Sequence, residues 1–333
     1  MIDAIKKQWR DNPLFSTALA LLVMVVLQTL ALGFEFDSFG SWADAFINNW
    51  VTILRNNAVI GIVSLGMTLV IISGGIDLSV GSAFVAAGAL FIMLLSNNGL
   101  LSFMGEPGWP QFAVAFAAVT LFGCLLGGVN GVLTADGAIA PFIVTLGTMK
   151  IFRSVTQHMM QGSGASFPDD YSDFSCLMFG RFMVMPIIYW LGIAFLLYLL
   201  MNRTSFGTYV TAIGSNERAA NLAGINVKAV KRAVYVITGA LTAIAAMISI
   251  ARIGSMDYAN AGSGYELDAI AAVIIGGTRM SGGRGSIMGT LLGVVILAVM
   301  NNMLNLLGVP AFLREAFKGL VVLVAVLVQR RRA

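Results

Sequence analysis

The chain has 333 residues, 58% of them hydrophobic and only 11% charged, with a mean hydropathy of +0.87. A soluble domain is about 25% charged, so this composition excludes an ordinary soluble globular protein. The net charge of +4 does not point to nucleic acid, because the basic residues sit at the ends and between apolar runs, which in membrane proteins records orientation.

A helix crossing the hydrocarbon needs about 20 apolar residues, so charge-free stretches serve as rulers. In chain order they predict spans at Leu14–Phe34, Asn56–Ile76, Leu78–Gly105, Pro107–Ala135, Ile139–His158, Phe182–Asn202, Ala233–Ala251, Leu267–Gly277, Gly285–Leu313 and Arg314–Gln329. The fifth, eighth and tenth are the poorest. The first is too long for a cleaved signal, and no A-x-A site follows it. The expected fold is an all-α polytopic membrane protein of about ten transmembrane helices. Residues 1–333 form one transmembrane domain that includes a cytoplasmic loop, 203–232.

Ten crossings put both termini on one side. That side collects Lys6, Lys7, Arg10, Arg203, Arg218, Lys228, Lys231, Arg232, Arg279, Arg284 and Arg330 to Arg332. The other side receives Arg55, Arg181, Arg252, Arg314 and Lys318, with Glu35, Asp37, Asp44, Glu106, Asp169, Asp170 and Asp173. The excess of basic residues predicts cytoplasmic termini. Lys150 and Arg153 fall inside the fifth span, where they either snorkel to an interface or face a wet interior.

The longest cytoplasmic connection contains "GSNERAANLAGINVKAVKR", residues 214–232. Asn216 is placed to cap a short helix over Glu217–Ala223, with Glu217 in the first turn and Gly224 as the left-handed stop. Leu222 and Ile225 leave an apolar spot on it. The residues allow a positive-inside anchor or a docking element for a soluble partner.

"SGGIDLSVGS", Ser73–Ser82, sets Asp77 among glycines between two spans. A carboxylate and broken backbone at that depth line water or protein, or Asp77 caps the next helix with Ser79 and Ser82. "GYELDAIAAVIIGGTRMSGGRGS", Gly264–Ser286, opens with Glu266 and Asp268 and ends in a glycine-rich turn. It lacks the GK[ST] of a phosphate loop, and reads as a cytoplasmic turn with two basic anchors.

Gly123, Gly127 and Gly131 recur every four residues, as do Gly289 and Gly293, giving flat faces for helix packing. Asn130, Asn301, Asn302 and Asn305 are polar groups in or near spans, suited to bonds between helices. Placement assigns Asp77, Ser79, Asn130, Thr145 and Asn301 to a substrate path. His158 is the only histidine, and Cys124 and Cys176 offer neither a disulfide framework nor metal spacing. No catalytic constellation, metal site or cofactor site is expected, so the chain is not read as an enzyme.

Four motifs in order carry a resemblance: "LGMTLVIISGGIDLSVGS", "APFIVTLGT", "AIGSNERAANLAGINV" and "GYELDAIAAVIIGGTRMSGGRGS". Over about residues 45–329 the chain resembles the permease subunit of ribose-type sugar ABC importers. That group also serves xylose, arabinose, galactose, galactofuranose, inositol and autoinducer-2. The resemblance implies about ten helices per subunit and a pair of permeases, either two copies or one with a sister permease. It also implies a periplasmic sugar-binding protein and a cytoplasmic double-cassette ATPase, which binds the ATP that this chain does not.

By the same resemblance, the coupling helix that docks on the ATPase is Asn216, Glu217, Arg218, Ala219, Ala220, Asn221, Leu222, Gly224 and Ile225. Glu217, Ala219, Ala220 and Gly224 match the E-A-A…G signature of importer permeases, with Arg218 a departure from it; Lys150 is another, where the family would have a small or polar residue. The chain has no P-loop and no paired intramembrane carboxylates or histidines for a proton relay, so a partner must supply energy. The alternative reading is a self-contained channel or secondary transporter of a small polar solute, lined by Asp77, Lys150 and Arg153. A membrane scaffold without transport is a third.

Overall fold

The structure is a computed structural model that describes residues 13–33, 38–96, 99–104, 108–161, 167–168, 171–176, 178–179 and 182–330. Lys6, Lys7, Arg10, Glu35, Asp37, Glu106, Asp169, Asp170, Arg181, Arg331 and Arg332 lie outside the described residues, as does the side chain of Arg330.

The helices are α1 (Pro13–Leu32), α2 (Phe39–Ile72), α3 (Val80–Leu95), α4 (Trp109–Ala135), α5 (Pro141–Met159), α6 (Asp173–Cys176) and α7 (Met185–Arg203). They continue as α8 (Ser205–Ser215), α9 (Glu217–Leu222), α10 (Val227–Ile253), α11 (Tyr265–Ile275), α12 (Ile287–Leu306) and α13 (Ala311–Arg330). A two-residue hairpin, β1 (Met178–Phe179) and β2 (Phe182–Met183), is the strand content among the described residues. Five of the described helices, α2, α4, α7, α10 and α12, are long and apolar enough to cross a membrane. Backbone amides in hydrocarbon must be satisfied internally, which is why apolar runs of this length become helices.

Among the predicted spans the seventh extends to the 27 residues of α10 and the ninth shortens to the 20 of α12, while the second and third change most. The second does not begin at Asn56. A capping box at Ser38, whose hydroxyl accepts from Ser41 N while Ser41 Oγ accepts from Ser38 N, starts a helix of 34 residues. At about 51 Å it exceeds the hydrocarbon, and it carries Asp44 and Arg55 within it. Phe39, Trp42 and Phe46 stack along its first turns, and Trp50 meets Phe46 at a tilt. The third span shortens to 16 residues in α3. The eighth keeps its expected 11 residues, two positions earlier, as α11, and reaches about 17 Å, half of the hydrocarbon.

The core is built around α10, which packs on α4, α2 and α3. Its contact with α4 is backbone on backbone. A Cβ at Gly123 would collide with Gly239 O, and one at Gly127 with Tyr235 O. Gly131 lies over Arg232, and Gly293 of α12 meets the carbonyl of Ala272 in α11, with Gly276 against Gly289. Elsewhere in the bundle, Phe112 gathers Phe91, Tyr171 and Phe174 into an aromatic cover. There Tyr189 donates to Phe174 O at 2.7 Å.

Lys318 of α13 pairs with Asp268 of α11 at 3.1 Å and with Glu315 at 2.9 Å, so two of the charges that interrupt the apolar runs neutralise one another between helices. Gly127→Leu should cost about 1–3 kcal/mol or more, because overpacking there strikes a carbonyl. Gly128→Leu, whose nearest neighbour would be Val236 Cγ2 at 3.7 Å, should be tolerated. Thermal unfolding of the two variants in detergent checks the difference.

Candidate functional site

The exposed charged loop folds into two helices. The first, α8, was not expected. Its Gly207, Val210 and Ile213 recur every three residues and are buried, a periodicity present in the sequence but short enough to pass as loop. The second, α9, spans Glu217–Leu222, one residue less than expected. Asn216 accepts from Ala219 N at 3.0 Å, and Gly224 takes φ +84, the left-handed region that stops a helix without Cβ strain.

One face of α9 holds it in place. Ala220 is buried, Ile225 packs back on the core, and Glu217 accepts from Lys231 Nζ at 2.7 Å. Lys228 and Arg232 each stand 3.7 Å from Asp136 at the end of α4. The other face is open: Arg218, Ala219 and Asn221 are exposed and Leu222 is 90% exposed. The apolar spot is therefore Leu222 alone, since Ile225 is partly covered.

Directly behind α9 three stretches of backbone meet without side chains between them. Gly283 donates its N–H to Ile72 O at 2.9 Å. A Cβ at Gly214 would collide with that same carbonyl, and one at Gly283, where φ is +74, would strike Ser215 Oγ. Gly282 lies against Gly214 and Gly74. The glycine-rich turn after α11 thus serves as a wedge between the end of α2 and the α8–α9 junction, rather than as a free basic turn.

Five residues beyond Ile72 stands Asp77, 3% exposed. Its Oδ1 accepts from Ser79 N at 2.8 Å and from Ser79 Oγ at 2.7 Å. Asn130 Nδ2 donates to Ser79 Oγ at 2.7 Å, and Thr148 Oγ1 donates to Asn130 Oδ1 at 2.7 Å. Because a carboxylate only accepts, every donor in this chain points toward Asp77. Thr145 joins it by donating to Ile76 O at 3.3 Å.

Capping by Asp77 takes a different form from the one expected. Ser79 is the residue that precedes α3 and its side chain makes no cap bond, so Asp77 closes a tight turn before the helix instead. Four of the five residues assigned to a path meet here: Asp77, Ser79, Asn130 and Thr145. Asn301 does not. It lines a separate cleft of about 20 Å³, room for one water, with Asn57, Asp268 and Lys318. The sequence reading missed Thr148, although it sits three residues after Thr145 on the same helical face. It also missed Tyr235, whose hydroxyl would lie 2.8 Å from a Cβ at Gly75.

Arg153 does not stand free. Its Nη1 donates to Ala261 O at 2.7 Å and to Ala259 O at 3.4 Å in the α10–α11 connection. Asn130→Ala, which removes the buried bonds to the Ser79 and Thr148 hydroxyls and cuts the chain behind Asp77, should cost about 1–3 kcal/mol. Asn301→Ala, at a half-buried position, should shift the unfolding midpoint less; the two midpoints in one detergent decide.

Residues 49–326 match the family model described as a branched-chain amino acid transport system / permease component. The chain is 41% identical to the ribose import permease protein RbsC of Escherichia coli, over 86% of this chain and 87% of that one. It is also 41% identical to RbsC of Bacillus subtilis, covering 86% and 85% respectively. The galactose/methyl galactoside import permease protein MglC of Haemophilus influenzae is 37% identical, over 84% of this chain and 86% of the relative. With apolar helices long enough to cross a membrane, a helix presented on one open face and a match over most of its length, the chain belongs to this family of transport-system permease components.

Proposed function

We propose that the chain is the transmembrane subunit of an ATP-driven ABC importer that moves a monosaccharide or related small polyol across the bacterial inner membrane. The names of its relatives supply the substrate class, and Leu222 on the open face of α9 is the observation that carries the mechanism. A helix held by Ala220, Glu217–Lys231 and Asn216 on one side, with an apolar side chain presented to water on the other, suits a protein partner.

In this reading both termini are cytoplasmic and α9 docks on a separate double-cassette ATPase. That enzyme binds the ATP; this chain binds no cofactor. A periplasmic sugar-binding protein delivers the solute, and a second permease, identical or sister, completes the passage. Cassette closure shifts α9, and the glycine wedge carries the shift to Ile72 and the turn at Asp77. Alternating access is then a change between two packings of the helix bundle.

Copurification of a cassette ATPase with the tagged chain tests the docking role. Glu217→Arg with Gly224→Trp should lose the ATPase, and so should Leu222→Asp alone. If no ATPase accompanies the wild type in mild detergent while the chain alone carries solute into vesicles, the chain is a self-contained transporter. Gly283→Ala probes the wedge: it should keep the ATPase bound but lower uptake by about tenfold, the size of coupling such networks carry. Unchanged uptake would remove the wedge from the mechanism.

A further inference from the structure

Two arginines from different helices converge on one amide oxygen. Arg252, in the last turn of α10, donates from Nη1 to Asn56 Oδ1 at 2.7 Å. Arg55 of α2 donates from Nε to the same oxygen at 3.4 Å. The shared acceptor holds the two bonding nitrogens within about 6 Å of each other, a separation at which like charges repel unless a counter-charge stands by.

No carboxylate among the described residues supplies that charge, since neither arginine has an ion pair. The short helix α6 lies over the end of α10, where Cys176 Sγ donates to Ala251 O at 3.7 Å. Its acidic residue, Asp173, is exposed and pairs with neither arginine. Asp257, five residues beyond Arg252, is engaged in its own turn by Ala259 N at 2.9 Å and Asn260 Nδ2 at 2.8 Å. A snorkelling arginine carries its whole head out to water. Arg252 does not: its Nε is buried and bonds to none of the described residues.

Depth narrows what the anion is. Arg55 immediately precedes the charge-free stretch Asn56–Ile76, and Arg252 immediately follows Ala233–Ala251. Ile72, at the glycine wedge, lies 17 residues after Arg55, about 25 Å along α2 and close to the thickness of the hydrocarbon. The pair therefore sits at the level of the lipid headgroups, at the end of α2 away from α9. Asn56 beside it is exposed, and Ile253, next to Arg252, offers a 58% exposed apolar side chain to an acyl chain.

We propose that Arg55, Asn56 and Arg252 form a binding site for the phosphodiester of an anionic phospholipid. Guanidinium forks match phosphate oxygens, and the Asn56 amide holds the two forks side by side. The inference goes beyond the permease reading and requires only that the chain lies in a bilayer.

Thermal unfolding of the purified full chain in neutral detergent tests it, with phosphatidylglycerol or phosphatidylcholine added. The second lipid has the same phosphodiester but brings its own cation. Phosphatidylglycerol should raise the midpoint by about 2–4 °C more than phosphatidylcholine. Asn56→Asp places a carboxylate between the arginines, so its midpoint without lipid should exceed wild type and its specific response to phosphatidylglycerol should vanish. Arg252→Gln should also lose that response, and Arg203→Gln, on α7, should keep it. An Asn56→Asp chain that is destabilised, or that responds to phosphatidylglycerol as wild type does, would overturn the site. An equal rise with millimolar inorganic phosphate would assign it to a free oxyanion and overturn the lipid. Equal responses of wild type to both lipids, beside a stabilised Asn56→Asp, would point to an acidic group of a protein partner and overturn the lipid likewise.

Discussion

The contact on which the rest of the bundle depends is the approach of α4 to α10. Gly123 and Gly127 admit the carbonyls of Gly239 and Tyr235 so closely that no methyl group fits between them. Lipid is as apolar as leucine, so helices in a membrane gain little by hiding hydrophobic side chains from it. They gain by dispersion and by dipolar contacts at short range, which small residues permit. With α4 locked on one side, α10 presents its remaining faces to α2 and α3, and the core assembles around it.

That packing also determines where polar groups can survive. Hydroxyls in the core bond their own helix four residues back, as Ser64 does to Ile60 O and Thr242 to Thr238 O, and some reach across. Thr68 meets Thr290 at 2.7 Å, and Thr238 reaches Gly66 O at 3.1 Å. Asp77 is the demanding case. A carboxylate among apolar helices, with no cation paired to it among the described residues, needs donors: Ser79 supplies them directly, and Asn130 of α4 and Thr148 of α5 follow behind it in series. The turn at Asp77 is therefore tied to two helices that run past it.

The same economy of side chains operates at the loop that carries α8 and α9. Between α9 and Asp77 the protein places glycine backbone, from Gly214 to Gly283 to Ile72, where rotamers cannot absorb a displacement. A push on α9 would meet rigid contacts rather than soft ones, which is the property that transmission between two packings requires. Leu222 lies at the outer end of this line and the buried polar chain at the inner end.

The sequence by itself determined that the chain is an all-α membrane protein, where most helices lie and how α9 begins and stops. These are local matters: apolar length dictates helix in lipid, and Asn216 and Gly224 act within one turn of themselves. The family resemblance was legible for the same reason, since its motifs are contiguous. The length of α2 was not legible, because Asp44 and Arg55 interrupt hydropathy without interrupting hydrogen bonding. Only the tertiary structure decided that Asp77, Ser79, Asn130 and Thr148 form one chain while Asn301 stands apart. It alone decided that the glycine turn wedges behind α9, and that Lys150 is exposed where Arg153 is bound. Those facts depend on the relative rotation of helices far apart in sequence, which packing sets and no single segment encodes.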